Sequence, residues 1–216
     1  MEVPLCDPDI RDAEVDAVEE VLRSGWLAHG PKNDEFEEAF AEYVGAEHAI
    51  TLNSCTSALH LAVEANDITG EVILPSFTWV ASANAIVTGV AEPVFMDIDR
   101  ETRNIDPDAV EEAITDETEA VMVVHYGGLA CDMDRIMAIA DEHDLHVIED
   151  SAETIGGTYD GQVAGTFATG CYSFYPTKNI TTAEGGVLTT DDEELAEEVR
   201  TLLCHGVRSP TFDGEG

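Results

Sequence analysis

Lys178 is one of only two lysines in a chain of 216 residues, the other being Lys32. It lies within Ser173-Phe174-Tyr175-Pro176-Thr177-Lys178-Asn179, between an aromatic segment and the polar, glycine-rich stretch 179–186. An isolated lysine is usually a surface residue, but here there is almost no surface population for it to belong to. An amine in a loop, set among Ser173, Thr177 and Asn179, suits covalent chemistry with a carbonyl compound.

Three further segments carry chemistry that complements such an amine. Asn53-Ser54-Cys55-Thr56-Ser57-Ala58-Leu59-His60-Leu61 follows an apolar run and opens a helix, so amides and hydroxyls collect at a positive helix end, a phosphate-sized anion site. Ser and Thr are also ordinary helix N-caps, and in isolation that reading is the better one. Pro75-Ser76-Phe77-Thr78-Trp79 follows the next apolar run and brings aromatic rings to the same edge. Trp79, with Phe77 as its competitor, can cover a flat cofactor, although either ring alone reads as a packing residue. Glu149-Asp150 ends the run His146-Val147-Ile148, where a strand tip has no structural use for a charge. A cap or loop role explains such an acid equally well, whereas an aspartate facing a pyridinium nitrogen would keep the ring protonated as an electron sink. Turn, aromatic, strand-end aspartate and loop lysine, in that chain order, outline a pyridoxal-phosphate site more specifically than any one of them.

The elements that must position these residues follow from periodicity. Val15, Val18 and Leu22 recur at helical spacing from Asp12 to Arg23, and a second helix, about Asp34 to Val44, is expected to bury Phe36, Phe40 and Tyr43. Short apolar runs at 49–52, 72–74, 94–98, 120–125 and 147–148 read as buried strands, separated by helices such as those begun by Asp106-Pro107 and Asp132. Tyr159-Asp160-Gly161-Gln162 reads as a turn, 171–175 and 187–190 as strands, and 192–203 as a last helix. The alternation predicts an α/β domain with a mostly parallel sheet, whose ligands gather at the carboxyl ends of the strands.

Composition bounds the partners. The hydrophobic fraction of 44% supports a substantial core, and a net charge of -37 spread along the chain describes a solvated acidic surface. Such a field repels nucleic-acid phosphates and anionic lipid, and a salt-adapted host is its simplest explanation. Five widely spaced cysteines without metal or redox spacing read as reduced thiols, and the absence of a signal segment or membrane-length apolar run points to a cytoplasmic location.

From about Leu22 to Gly206 the chain resembles the nucleotide-sugar aminotransferases of the DegT/DnrJ/StrS family, closest in look to the 4-amino-4-deoxy-arabinose branch. The resemblance rests on Ser24-Gly25-Trp26-Leu27, 53–61, Phe77-Thr78-Trp79, His125-Tyr126-Gly127-Gly128, Glu149-Asp150-Ser151-Ala152-Glu153 and 173–186. It implies the large domain of a fold-type I pyridoxal-phosphate transferase over residues 1–216, with a helical segment at about 1–45, helices on both sheet faces and a small C-terminal domain beyond. It implies covalent attachment of pyridoxal 5'-phosphate to Lys178, pairing of Asp150 with the ring nitrogen, stacking of Trp79, and phosphate contacts from Ser54, Thr56 and Ser173. Cys55, Glu153 and Asn179 fall at cofactor positions and Trp26 at a substrate position. Two departures stand out. Cys55 replaces a frequent glycine, so that a side chain narrows the approach to the anion, and Glu153 replaces Gln or His near the phenolic oxygen, to which an ionised Glu cannot donate. The implied partners are an amino-acid donor, glutamate by family resemblance, a nucleotide-linked keto-sugar and a second copy of the full-length chain.

The competing readings are a sugar dehydratase, disfavoured because related dehydratases carry His in place of this lysine, and a cofactor-binding remnant or regulatory module without turnover. A dinucleotide binder is disfavoured by the lack of a Gly-x-Gly-x-x-Gly turn. The acidic surface generates the first test. Stability against denaturant should rise as monovalent salt goes from dilute to molar, where the Debye length falls to about 3 Å; greater stability in dilute buffer would refute salt adaptation.

Overall fold

The computed structural model describes Pro4 and residues 6–206. Two helices, α1 (Asp12–Ser24) and α2 (Pro31–Val44), precede an alternating series: β1 (His48–Leu52), α3 (Cys55–Ala65), β2 (Glu71–Pro75), α4 (Val80–Thr88), β3 (Glu92–Met96), α5 (Pro107–Ala113), β4 (Thr118–Val124), α6 (Met133–His143) and β5 (His146–Asp150). A small hairpin of β6 (Thr158–Tyr159) and β7 (Gln162–Val163) turns through Asp160 and Gly161, both at positive φ, and leads to β8 (Thr169–Ser173), β9 (Gly186–Thr190) and α7 (Glu193–Leu203).

The seven-stranded sheet has the order β1-β9-β8-β5-β4-β2-β3, and β9 alone runs against the other six. Strand alternation sends Ile148 and Leu188 to one face, where they meet Leu59, Ile86 and Val199 of α3, α4 and α7. Val147 and Val121 point the other way, onto Val110, Met133 and Ile136 of α5 and α6, and beside them Phe40 of α2 packs edge-on against Tyr172. Helices thus cover both faces, as the alternation of elements implies. The buried Glu37 of α2 ties β1 to α7, accepting from Thr51 N (2.7 Å) and Arg200 Nη1 (2.8 Å).

Two expectations, on α2 and β3, require correction. α1 forms, but Val15, Val18 and Leu22 are exposed and the helix buries no residue against the described chain. On α2 Phe40 is buried and Phe36 partly so, whereas Tyr43 is 62% exposed, because the stripe that meets the sheet is narrower than the apolar pattern. β3 lies at the sheet edge, begins two residues earlier than expected and leaves Phe95 exposed, since it has a neighbour on one side only. α4 had no visible signal, because Val-Ala-Ser-Ala-Asn-Ala-Ile-Val-Thr has no polar stripe to mark a period.

The carboxyl ends of β1, β2, β4, β5 and β8 lie along one edge, where β9 starts. Ile148→Ala in the central strand β5 should cost about 2–5 kcal/mol, read from denaturant midpoints. Phe95→Ala on the edge strand should cost under about 1 kcal/mol; equal losses would contradict this core assignment.

Candidate active site

β5 ends in two adjacent acids, and strand alternation sends them to opposite faces. Asp150 faces a cavity of about 310 Å3 at the sheet edge, which is also lined by Lys178, Glu153, Trp79, Phe77 and Tyr126. Lys178 Nζ lies 3.1 Å from Glu153 Oε1, and Glu153 Oε2 accepts from Gly127 N (3.1 Å), a residue at φ 61° in the turn after β4. Trp79, at the N-cap of α4, is 79% exposed, while Phe77 is engaged with Tyr126 at 4.6 Å between ring centres. Of the two candidate stackers, Trp79 therefore has the free face.

Asp150 is buried. Its Oδ2 accepts from Ser82 Oγ (2.7 Å) and its Oδ1 from Ala152 N (3.2 Å). Burial raises its carboxyl above the ordinary carboxylate range, and the Ser82 and Ala152 donors and the Lys178 charge act against that rise.

Glu149 is tied up on the other side of the strand. Its Oε2 accepts from His125 Nε2 (2.9 Å) and Gly165 N (2.7 Å), and its Oε1 from Phe167 N (2.8 Å) and Ala168 N (2.9 Å). Because Cys131 N donates to His125 Nδ1 (3.1 Å), the network assigns the ring proton to Nε2 and makes His125 a neutral donor. The sequence reading did not find this anchor, nor Ser82. His125 stood out only as part of a family-like stretch, and neither it nor a serine inside a featureless helix shows which acid it meets without its distant partner.

The anion turn lies on the same edge. Leu52, Gly186 and Ser173 stand side by side across β1, β9 and β8, and three residues after Leu52 the chain enters α3. Ser54 caps α3, its Oγ accepting from Ser57 N (3.2 Å), so the capping role and the presentation of first-turn amides coexist. A Cβ at position 186 would collide with the backbone of Ser54 and Cys55, so only glycine permits this approach of β9 to the turn. The expected obstruction by Cys55 is corrected. Its side chain is buried, its Sγ contacts the Cys171 carbonyl (3.5 Å), and burial pushes its thiol well up, leaving the backbone amide as its contribution to the turn. Thr56 is exposed on the first turn, Ser173 is buried at the end of β8, and Asn179 is exposed beside Lys178.

Trp26 is not brought to this cavity. Its Nε1 donates to the His29 carbonyl (3.0 Å), and it lines a separate cleft of about 430 Å3 with Leu27, Lys32 and Asn33. A larger cleft of about 980 Å3 is bordered mainly by acids, among them Asp67, Asp192, Glu194, Glu197 and Glu198, with Arg200 as its one arginine, so it disfavours an anionic ligand.

A cradle that a Cβ would fill, a lysine amine, a buried carboxylate and a free indole face form a donor set that fits pyridoxal phosphate. Fold and site together define a domain of the fold-type I transferases that use this cofactor. The model of the DegT/DnrJ/EryC1/StrS aminotransferase family matches residues 8–215, and the chain belongs to that family. The match is coarser than the 4-amino-4-deoxy-arabinose branch expected from the sequence.

The chain is 49% identical over 214 residues to the spore coat polysaccharide biosynthesis protein SpsC of Bacillus subtilis, covering 98% of this chain and 55% of that one. Among solved structures it matches DesI in the presence of its TDP-sugar product (TM-score 0.89, 38% identity, 93% of this chain and 52% of that one). It also matches GDP-4-keto-6-deoxymannose-3-dehydratase with a trapped PLP-glutamate geminal diamine (TM-score 0.90, 31% identity, 95% and 55%). The chain spans about half the length of the curated relatives it matches.

The raised Asp150 carboxyl gives a signed prediction. The fold favours its protonated form, a contribution complete below the unfolded value of about 3.9 and lost as pH rises through the higher folded value. Cofactor-free Asp150→Asn should therefore gain stability relative to the parent as pH rises from about 3 toward neutrality. Denaturation at stepped pH measures this, and a difference independent of pH would contradict burial as the dominant effect.

Proposed function

We propose that this chain is the cofactor-binding part of an aminotransferase that moves an amino group from an amino acid, glutamate in our reading, to a nucleotide-linked keto-sugar. The observation that carries the proposal is a lysine amine and a buried carboxylate facing one cavity beside an exposed indole. The substrate classes are supported by the relatives, one solved with a TDP-sugar product and another with a glutamate adduct of the cofactor.

When bound, pyridoxal phosphate supplies a protonated ring that withdraws electrons from the substrate carbon. In this proposal the first-turn amides of α3, with Ser54, Thr56 and Ser173, bind the phosphate, as a helix N-terminus favours. Trp79 covers one ring face. Asp150 holds the proton at the ring nitrogen, and its burial strengthens that ion pair. Lys178 anchors the cofactor and, once displaced by substrate amine, moves a proton to and from the substrate carbon. Glu153 and the amide of Gly127 orient the lysine amine.

The dehydratase match has the same fold, so the fold does not separate the two activities. The residue that favours transamination is Lys178, an amine able to both anchor and shuttle. We also propose a homodimer for the full-length protein, supported by the apolar face of α1, which the described chain leaves uncovered. A cytoplasmic location fits with five cysteines all unpaired; among the described residues no helix is long and apolar enough to cross a membrane.

Mixing the protein with pyridoxal phosphate should produce the near-visible absorption of a lysine-linked cofactor, which Lys178→Ala should abolish with the fold intact. Asp150→Asn should retain cofactor and lower transamination by about two orders of magnitude or more. An unchanged spectrum in Lys178→Ala would sink the assignment, and near-normal turnover in Asp150→Asn would remove Asp150 from its role.

A further inference from the structure

We infer that the Thr78–Ser82 hydroxyl pair is a positioning device for Asp150, setting how strongly that carboxylate holds a proton on the cofactor's ring nitrogen. The inference rests on the proposed role of Asp150 and adds two residues to it.

Ser82 is fully buried in the first turn of α4. Its Oγ lies 2.7 Å from Asp150 Oδ2, 2.7 Å from Thr78 Oγ1 and 3.2 Å from the Trp79 carbonyl. A hydroxyl has one proton to give, and two acceptors compete for it. An ionised carboxylate accepts only, and charge-assisted bonds are the shorter and stronger ones, so the proton goes to Asp150. The oxygen of Ser82 is then left to accept from Thr78. The chain Thr78→Ser82→Asp150 therefore has a fixed direction, and each bond polarises the next.

The surroundings of Asp150 explain why this pair matters. On the favourable side stand Lys178 and the amide of Ala152, while Glu153 shares the cavity, Glu149 is the adjacent acid on the other face, and the Cys55 and Cys171 thiols are buried neighbours. The carboxylate is largely withdrawn from water, so its charge depends strongly on these few donors. Trp79 is the N-cap of the helix that carries Ser82. One short segment, 78–82, thus supplies both the ring-covering indole and the hydroxyl on the acid that faces the ring. Without the Ser82 hydroxyl, Asp150 becomes a stronger proton acceptor, and the proton shifts from the ring nitrogen to the carboxylate oxygen.

The test is the 15N chemical shift of the ring nitrogen in protein loaded with 15N-labelled pyridoxal phosphate, a readout independent of turnover. Ser82→Ala should lower the ratio of protonated to unprotonated ring by roughly tenfold or more, the loss expected for a hydrogen bond to a charged group. Thr78→Val, which keeps the volume, should move the ratio in the same direction by less. Asp150→Asn, measured alongside, separates the two claims. A shift that moves in Asp150→Asn but stays at the parent value in Ser82→Ala overturns the positioning role alone. A shift unchanged in both overturns the proposed role of Asp150 together with this inference. Parent-like melting of Ser82→Ala with the expected shift would support positioning over a packing effect.

Discussion

The arrangement of the site depends on the burial of two adjacent carboxylates at the tip of β5. An extended strand must send consecutive side chains to opposite faces, so Glu149 and Asp150 take opposite duties. Glu149 receives four N–H donors, one from His125 and three from the loop 165–168, and so fixes the strand tip to the segment that leads into β8. Removing partners from a buried charge costs about 3–5 kcal/mol, which makes this anchor a strong constraint on the edge of the sheet. With Glu149 held, Asp150 faces the cavity with two donors only, leaving carboxylate lone pairs for a ligand.

That edge gathers its residues from positions far apart in the chain. β8 and β5 are neighbours, β9 runs back between β8 and β1, and the start of β9 passes so close to the α3 turn that position 186 must be glycine. The loop that carries Lys178 joins β8 to β9, which places the amine opposite the end of β5. Rigid strands hold the acid, and a loop holds the amine. This division suits the proposed chemistry, in which the carboxylate stays still and the lysine moves between anchoring and proton transfer.

The surface and the site use charge in opposite ways. A net charge of -37 is spread over solvated positions, where water and salt screen it. In the cavity a few charges are withdrawn from water, so each partner has a large effect. Lysine is nearly absent from the surface and present in the cavity, which is why its position in the sequence was so informative.

The sequence by itself determined the alternation of elements, the aspartate at the strand tip, the capped turn at Ser54 and the isolation of Lys178 in a polar loop, because periodicity, capping chemistry and composition are local properties. Tertiary structure alone decided which of Glu149 and Asp150 faces the ligand edge, since that depends on the phase of the strand relative to its neighbours. It also turned Cys55 into the core, left Tyr43 and the face of α1 exposed, kept Trp26 away from the cavity and brought Ser82 and His125 to the two acids. Ser82 and Asp150 are 68 residues apart, and Glu149 lies 24 residues from His125. Such contacts exist only once sheet order and register are set, and no short window of sequence contains both partners.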